Sequence, residues 1–193
     1  MLILITGGAG SGKSAFAENL AMQLQKLKKS GNLYYFATMQ VREDDPECQK
    51  RIRKHQKQRA DKNFITIETP FLEIPYFSKN SVNSWQSGTG LLECMSNLLA
   101  NLQFDFNNSE NQALPERITG KILQLSACLE NLVVITNEIF RERIPADSAM
   151  RDYLRNLGEV NCSLAEHAEI MIEIQAGIPI IWKGENFFHE VMG

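Results

Sequence analysis

The sequence has no apolar run near the roughly 20 residues that a bilayer-spanning helix requires, so a membrane-spanning protein is excluded. It has little net charge: 20 Lys and Arg stand against 23 Asp and Glu, a balance of −3. A coat for nucleic acid usually needs a basic excess, and none is present. Its four cysteines, Cys48, Cys94, Cys128 and Cys162, include no C-x-x-C pair, and three histidines do not supply a zinc-type ligand set. Free, mostly buried thiols are expected instead. The equal 34-residue steps from Cys94 to Cys128 to Cys162 have unmatched flanks and count as coincidence, not a repeat. The apolar opening, Leu2 to Ile5, is too short for a signal-peptide core. What remains is a soluble, cytoplasmic chain of 193 residues, the length of one domain (1–193) able to bury about 70% of its unfolded surface.

What is present alternates. Leu2-Ile3-Leu4-Ile5-Thr6 is a β-branched apolar run ended by Gly7-Gly8, the pattern of a buried parallel strand. Phe16, Leu20, Leu24 and Leu27 fall at helical spacing over 13–29, and Leu33 to Thr38 forms the next strand, closing a βαβ unit. An acidic lead-in, Glu43-Asp44-Asp45-Pro46-Glu47, precedes a basic stretch and predicts a helix over 46–60. Further strands are expected at 64–68, 91–93, 132–136, 169–175 and 178–182, and helices at 95–102, 116–129 and 147–167. The polar stretches 78–90 and 105–115 read as loops, and Pro179 places the last strand at a sheet edge. The fold class is therefore α/β, a mainly parallel sheet with helices on both faces.

Gly7-Gly8-Ala9-Gly10-Ser11-Gly12-Lys13-Ser14 fits G-x-x-x-x-G-K-[ST] in full, between a predicted strand and a predicted helix. Glycines let successive N–H groups converge on a phosphate, and the helix start adds partial positive charge. Lys13 would reach the β and γ phosphates of ATP or GTP, and Ser14 would ligate Mg²⁺. Such a loop also needs a carboxylate at the end of a nearby strand. Glu93, after Leu91-Leu92, is the candidate, with an ordinary helix-start acid as the alternative.

Arg51, His55 and Arg59 recur at four-residue spacing, one stripe of a helix. Flanking cations disfavour the charged imidazole, leaving a neutral ring nitrogen for nucleophilic or base chemistry, while the guanidinium groups would stabilise an attacked phosphate. A solvated basic face is the plainer alternative. A nucleic-acid patch would want interleaved aromatics, which are absent.

Together these residues resemble the bifunctional adenosylcobinamide kinase / adenosylcobinamide-phosphate guanylyltransferase family of cobalamin biosynthesis. The resemblance runs through the phosphate loop, Tyr35-Phe36-Ala37-Thr38, Arg51-Ile52-x-x-His55-x-x-x-Arg59, Thr66-x-Glu68, Leu91-Leu92-Glu93-Cys94, Asn101-Leu102, Thr136-Asn137-Glu138-Ile139, Ile144-Pro145, Arg151-Asp152, Gly158 and Asn161. It implies a P-loop, RecA-like sheet with one antiparallel strand near the C-terminus, and a homotrimer. It also implies two reactions: phosphorylation of adenosylcobinamide by ATP or GTP, then GMP transfer through a guanylyl-histidine on His55. Ala37, Thr38 and Met39, then Gln56, Lys57, Gln58, Arg59, Glu68 and Glu93 match the family's guanine-nucleotide contacts. The chain departs from the pattern at Phe140-Arg141-Glu142-Arg143, where the family usually has glycines, at Gly10 for a usual Arg, at Phe64 for a usual Trp and at Cys162 for a usual Gln. These departures keep two alternatives open: a monofunctional P-loop kinase for another alcohol, or a GTP-binding regulatory protein without corrinoid activity.

Overall fold

The computed structural model describes residues 1–28, 31–40, 49–50, 61–73, 85, 87–105, 113–141 and 145–192. The helix expected over 46–60 lies almost wholly outside them, as do most of the 78–90 and 105–115 segments.

Seven strands, β1 (Leu2–Thr6), β2 (Leu33–Ala37), β3 (Ile65–Glu68), β4 (Thr89–Glu93), β5 (Asn131–Ile135), β6 (Ile170–Gln175) and β7 (Ile178–Lys183), form one sheet. Their order is β3-β2-β4-β5-β1-β6-β7. All neighbours are parallel except β6 and β7, which pair antiparallel through the Ala176-Gly177 turn. This is the RecA-like P-loop arrangement that the family resemblance implies, with β5 inserted between β1 and β4. Pro179 sits on edge strand β7, where a missing N–H breaks no further ladder.

The central strands are buried on both faces, which is why they read as unbroken apolar runs. Their two sets of side chains point into two cores. On one face Ile3, Ile5, Tyr35, Leu91, Val133 and Ile135 meet helix α1 (Lys13–Lys28) and α5 (Glu185–Met192). On the other, Leu4, Phe36, Leu92, Leu132 and Val134 meet α2 (Met95–Gln103), α3 (Leu114–Ala127) and α4 (Ser148–His167). Helices α1 to α4 each contribute a stripe at helical spacing, as with Leu114, Ile118, Ile122 and Leu125 of α3. Helix α4 starts where the Asp147 carboxylate accepts the Met150 N–H at 2.8 Å, a side-chain cap.

Three expectations change. Thr89 and Gly90 belong to β4 and are buried, not loop. A Cβ on Gly90 would come within 2.8 Å of both Phe36 and Leu129, so this glycine serves close packing inside a strand. Leu27 is exposed although it continues the α1 stripe. At 16 residues α1 is about 24 Å long, whereas the five-residue strands beneath it span about 17 Å, so its last turn overhangs the sheet. Cys162 is exposed, and Cys94 and Cys128 are half-buried, so these three thiols are free but not uniformly interior, and Cys48 lies outside the described residues. Helix α5, absent from the sequence reading, packs Phe188 against Phe16 of α1 at 6.3 Å between ring centres. Among the described residues no helix is long and apolar enough to cross a membrane.

Candidate functional site

The carboxyl ends of the parallel strands carry the polar residues. β1 ends at Thr6 and delivers Gly7 to Gly12 as a tight loop in which the Ser11 N–H donates to Gly8 O at 3.2 Å. Gly10 and Gly12 have φ of +72° and +92°, the left-handed region that glycine enters without strain. The loop is pinned from the side where Gly177 N–H donates to Ser11 O at 2.9 Å. The Ser11 hydroxyl oxygen is buried with no hydrogen-bond partner. A glycine loop at a helix start with a buried, unpartnered hydroxyl fits a phosphate, which takes up loop N–H groups and the helix-start partial charge.

Lys13 opens α1, is 9% exposed, and donates to Gly8 O at 3.0 Å, so its ammonium lies against the loop. Burial lowers its pKa, with Cys94 and Glu93 acting the other way. A partly desolvated cation held by the loop gains most when an anion arrives beside it.

Glu93 closes β4. Its Oε1 accepts from the Ser14 hydroxyl at 2.5 Å and its Oε2 from the Tyr35 hydroxyl at 2.7 Å. The structure thus brings together two residues 79 positions apart, one from the phosphate loop and one from a strand end. A hydroxyl and a carboxylate side by side present hard oxygen donors, the type Mg²⁺ takes. Among the described residues no group of three or more His, Cys, Asp or Glu assembles into another metal site.

Strand register extends the row. Glu68, Ala37 and Glu93 pair across β3, β2 and β4, which places Glu68 two strands, about 10 Å, from Glu93 at an exposed edge. Thr38 follows, fully buried, its hydroxyl donating to Cys94 O at 2.8 Å and accepting Cys94 N–H at 2.7 Å. Asn101 of α2 donates to Thr38 O and Pro70 O, both at 2.8 Å. Met39 is half-buried beside them. The candidates Arg51, His55, Gln56, Lys57, Gln58 and Arg59 lie outside the described residues.

Several polar residues that the sequence reading did not place in the site stand in it. Tyr35 is one, and its signal was available: a buried tyrosine two residues before Ala37 needs a partner for its hydroxyl. Ser96 is another, with no sequence signal. Its hydroxyl accepts from Asn137 Nδ2 at 2.5 Å and lies 3.1 Å from Cys94 Sγ, and its carbonyl accepts from Tyr153 at 3.1 Å. Burial pushes the Tyr153 phenol up to about 12 and raises the Cys94 thiol, so both stay protonated near neutral pH. Asn161 of α4 accepts from the Thr136 hydroxyl at 2.6 Å. Beyond β5, Glu138 N–H donates to Gly7 O at 3.1 Å, tying the next turn to the phosphate loop. Phe140 is exposed, and Arg141 reaches Glu138 at 3.3 Å and Glu173 at 3.1 Å. Of the divergent segment, Glu142 and Arg143 lie outside the described residues.

Comparison with known proteins meets this geometry. The family model "CobU: Cobinamide kinase / cobinamide phosphate guanyltransferase" matches residues 3–181. The chain is 30% identical over 190 residues to the bifunctional adenosylcobalamin biosynthesis protein CobU of Escherichia coli (strain K12), covering 93% of this chain and 98% of that protein. It is 30% identical over 188 residues to the bifunctional adenosylcobalamin biosynthesis protein CobP of Pseudomonas aeruginosa, covering 94% and 97%. Among solved structures, the flagellar accessory protein FlaH of Methanocaldococcus jannaschii superposes with a TM-score of 0.50 at 15% identity, covering 94% of this chain and 77% of that one, a likeness of fold alone.

Proposed function

The chain belongs to the cobinamide kinase / cobinamide phosphate guanyltransferase family, and we propose that it performs both reactions at its one phosphate loop. In the first, the γ-phosphoryl group of ATP or GTP passes to the hydroxyl of the adenosylcobinamide side arm. In the second, a nitrogen of His55 attacks the α-phosphorus of GTP, the bond to the β-phosphate oxygen breaks, and pyrophosphate leaves. A phosphate oxygen of the phosphorylated corrinoid then attacks the same phosphorus, the N–P bond breaks, and His55 is regenerated with adenosylcobinamide-GDP as product. Splitting one displacement into two lowers each barrier. By the same family resemblance the enzyme acts as a cytoplasmic homotrimer.

The supporting observation is the 2.5 Å hydrogen bond from Ser14 to Glu93, which brings a carboxylate to the phosphate loop, the pairing by which P-loop enzymes hold a nucleotide-bound metal. Ser14 and Glu93 would hold Mg²⁺, which when bound spreads positive charge over the phosphate oxygens. Lys13 supplies the second positive charge, and the loop N–H groups orient the chain of phosphates. By the family resemblance, Ala37, Thr38, Met39 and Glu68, at the adjoining strand ends, and Arg51 with Gln56 to Arg59 would contact the guanine nucleotide.

The test is retention of acid-labile label from α-labelled GTP. The parent protein is expected to take up label and to lose it to the phosphorylated corrinoid. His55→Ala is expected to take up none while still phosphorylating adenosylcobinamide. Equal labelling of the two proteins, or none in the parent, would overturn the guanylyl-histidine step.

A further inference from the structure

Glu93 has both carboxylate oxygens engaged, and the second engagement comes from outside the phosphate loop. Tyr35 lies on β2, paired in register with Leu91, and therefore sits diagonally from Glu93 on the same face of the sheet. Its ring is 4% exposed, held in the core beneath α1 and packed edge-on against Phe64 at 6.0 Å between ring centres. The phenol is its one polar atom, and it donates to Glu93 Oε2 at 2.7 Å while Ser14 donates to Oε1 at 2.5 Å.

We propose that Tyr35 is a positioning residue that fixes the Glu93 carboxylate for its metal, acting through Glu93 and touching neither metal nor nucleotide. This rests on the reading that Ser14 and Glu93 hold Mg²⁺. A carboxylate at a strand end is free to rotate about its last torsion, and one donor on a buried ring removes that freedom. The donor is neutral, so the carboxylate keeps its full negative charge for the cation, which a Lys or Arg in the same place would offset. Partners that orient a ligand from behind typically change metal affinity by about 10- to 100-fold when removed.

The experiment pairs Tyr35→Phe with Glu93→Gln and titrates each with Mn²⁺ in the presence of a non-hydrolysable GTP analogue, reading free Mn²⁺ by electron paramagnetic resonance. Tyr35→Phe keeps the ring and is expected to weaken Mn²⁺ binding about tenfold or more. Its affinity for the analogue without metal should stay within about twofold, and saturating Mg²⁺ should restore kcat of the kinase reaction. Unchanged Mn²⁺ binding in Tyr35→Phe beside weakened binding in Glu93→Gln would overturn the role of Tyr35 alone. Unchanged binding in Glu93→Gln would remove the underlying assignment of Glu93, and this proposal with it. A kcat that saturating Mg²⁺ fails to restore would show that more than orientation was lost, and would overturn it as well.

Discussion

The end of β4 and the turn beyond β5 stand on neighbouring strands, yet different forces hold them. At the β4 end the polar atoms are partly or fully withdrawn from solvent: Ser14, Tyr35, Thr38, Cys94 and Asn101 exchange hydrogen bonds of 2.5 to 2.8 Å with Glu93 and with each other's backbone. Beyond β5, Arg141 is 66% exposed and holds its turn through two surface ion pairs. Between these extremes, Thr136 and Asn161 bind one another where β5 meets α4. Interior bonds are costly to leave unmade, whereas exposed pairs contribute little. The phosphate end is thus specified tightly, and the rim is where sequence has room to drift. The departures at Phe140 and Arg141 fall on that rim; Gly10 and Phe64 do not, Gly10 standing inside the loop at a φ of +72°, where glycine is free of strain, and Phe64 packing edge-on against Tyr35.

The largest effect is expected where charge meets reaction. Lys13→Met should lower the rate of both phosphoryl and guanylyl transfer by at least about 10²- to 10³-fold, measured with saturating nucleotide. It should not lower the urea midpoint. Burial disfavours the charged form of Lys13 in the folded protein, so its charge opposes folding in full below the lowered folded pKa, and that opposition is relieved as pH climbs from there to the unfolded pKa. Replacing it with an apolar side chain of similar length removes the opposition. A drop in midpoint together with the drop in rate would mean that the loop is held by Lys13 and that interior bonding alone does not specify it.

A middle-sized effect separates bonding from charge. Asn161→Ala leaves the fully buried Thr136 hydroxyl without its acceptor and should cost about 1–3 kcal/mol by urea unfolding. Thr136→Val, which removes the hydroxyl and leaves a half-buried amide that can meet water, should cost less. Equal losses would place the energy in packing instead.

The same division explains what could be read from the sequence. The β1–loop–α1 unit was legible because a continuous apolar run, glycines and a helical stripe are local signals. Glu93 was legible as a strand-end acid, but its bonds to Ser14 and Tyr35 depend on β2 and β4 lying side by side, a fact of topology. Gly90 is not legible as a strand residue because glycine marks both loops and tight packing, and only the positions of Phe36 and Leu129 decide between them. Ser96 draws its role entirely from Asn137, Cys94 and Tyr153, which no spacing in the chain announces. Leu27 continued a correct stripe past the end of the surface it would cover.

The smallest effect belongs to the rim. Arg141→Ala breaks the pairs to Glu138 and Glu173, but Glu173 keeps the Trp182 indole N–H at 3.1 Å and Glu138 keeps the Phe140 N–H at 3.1 Å. Neither carboxylate is left without a donor, and the guanidinium is mostly in water before the change. Stability should therefore fall by no more than about 1 kcal/mol, less still at high salt, where exposed pairs are screened. Nucleotide affinity should stay within about twofold, since the tie from Glu138 to the phosphate loop is a backbone bond to Gly7 that the substitution does not touch. Urea unfolding at low and high salt checks the first point, and calorimetric titration with GTP at both salts checks the second. A loss of affinity above about tenfold, insensitive to salt, would mean that Arg141 reaches the nucleotide itself and that the rim is part of the phosphate site.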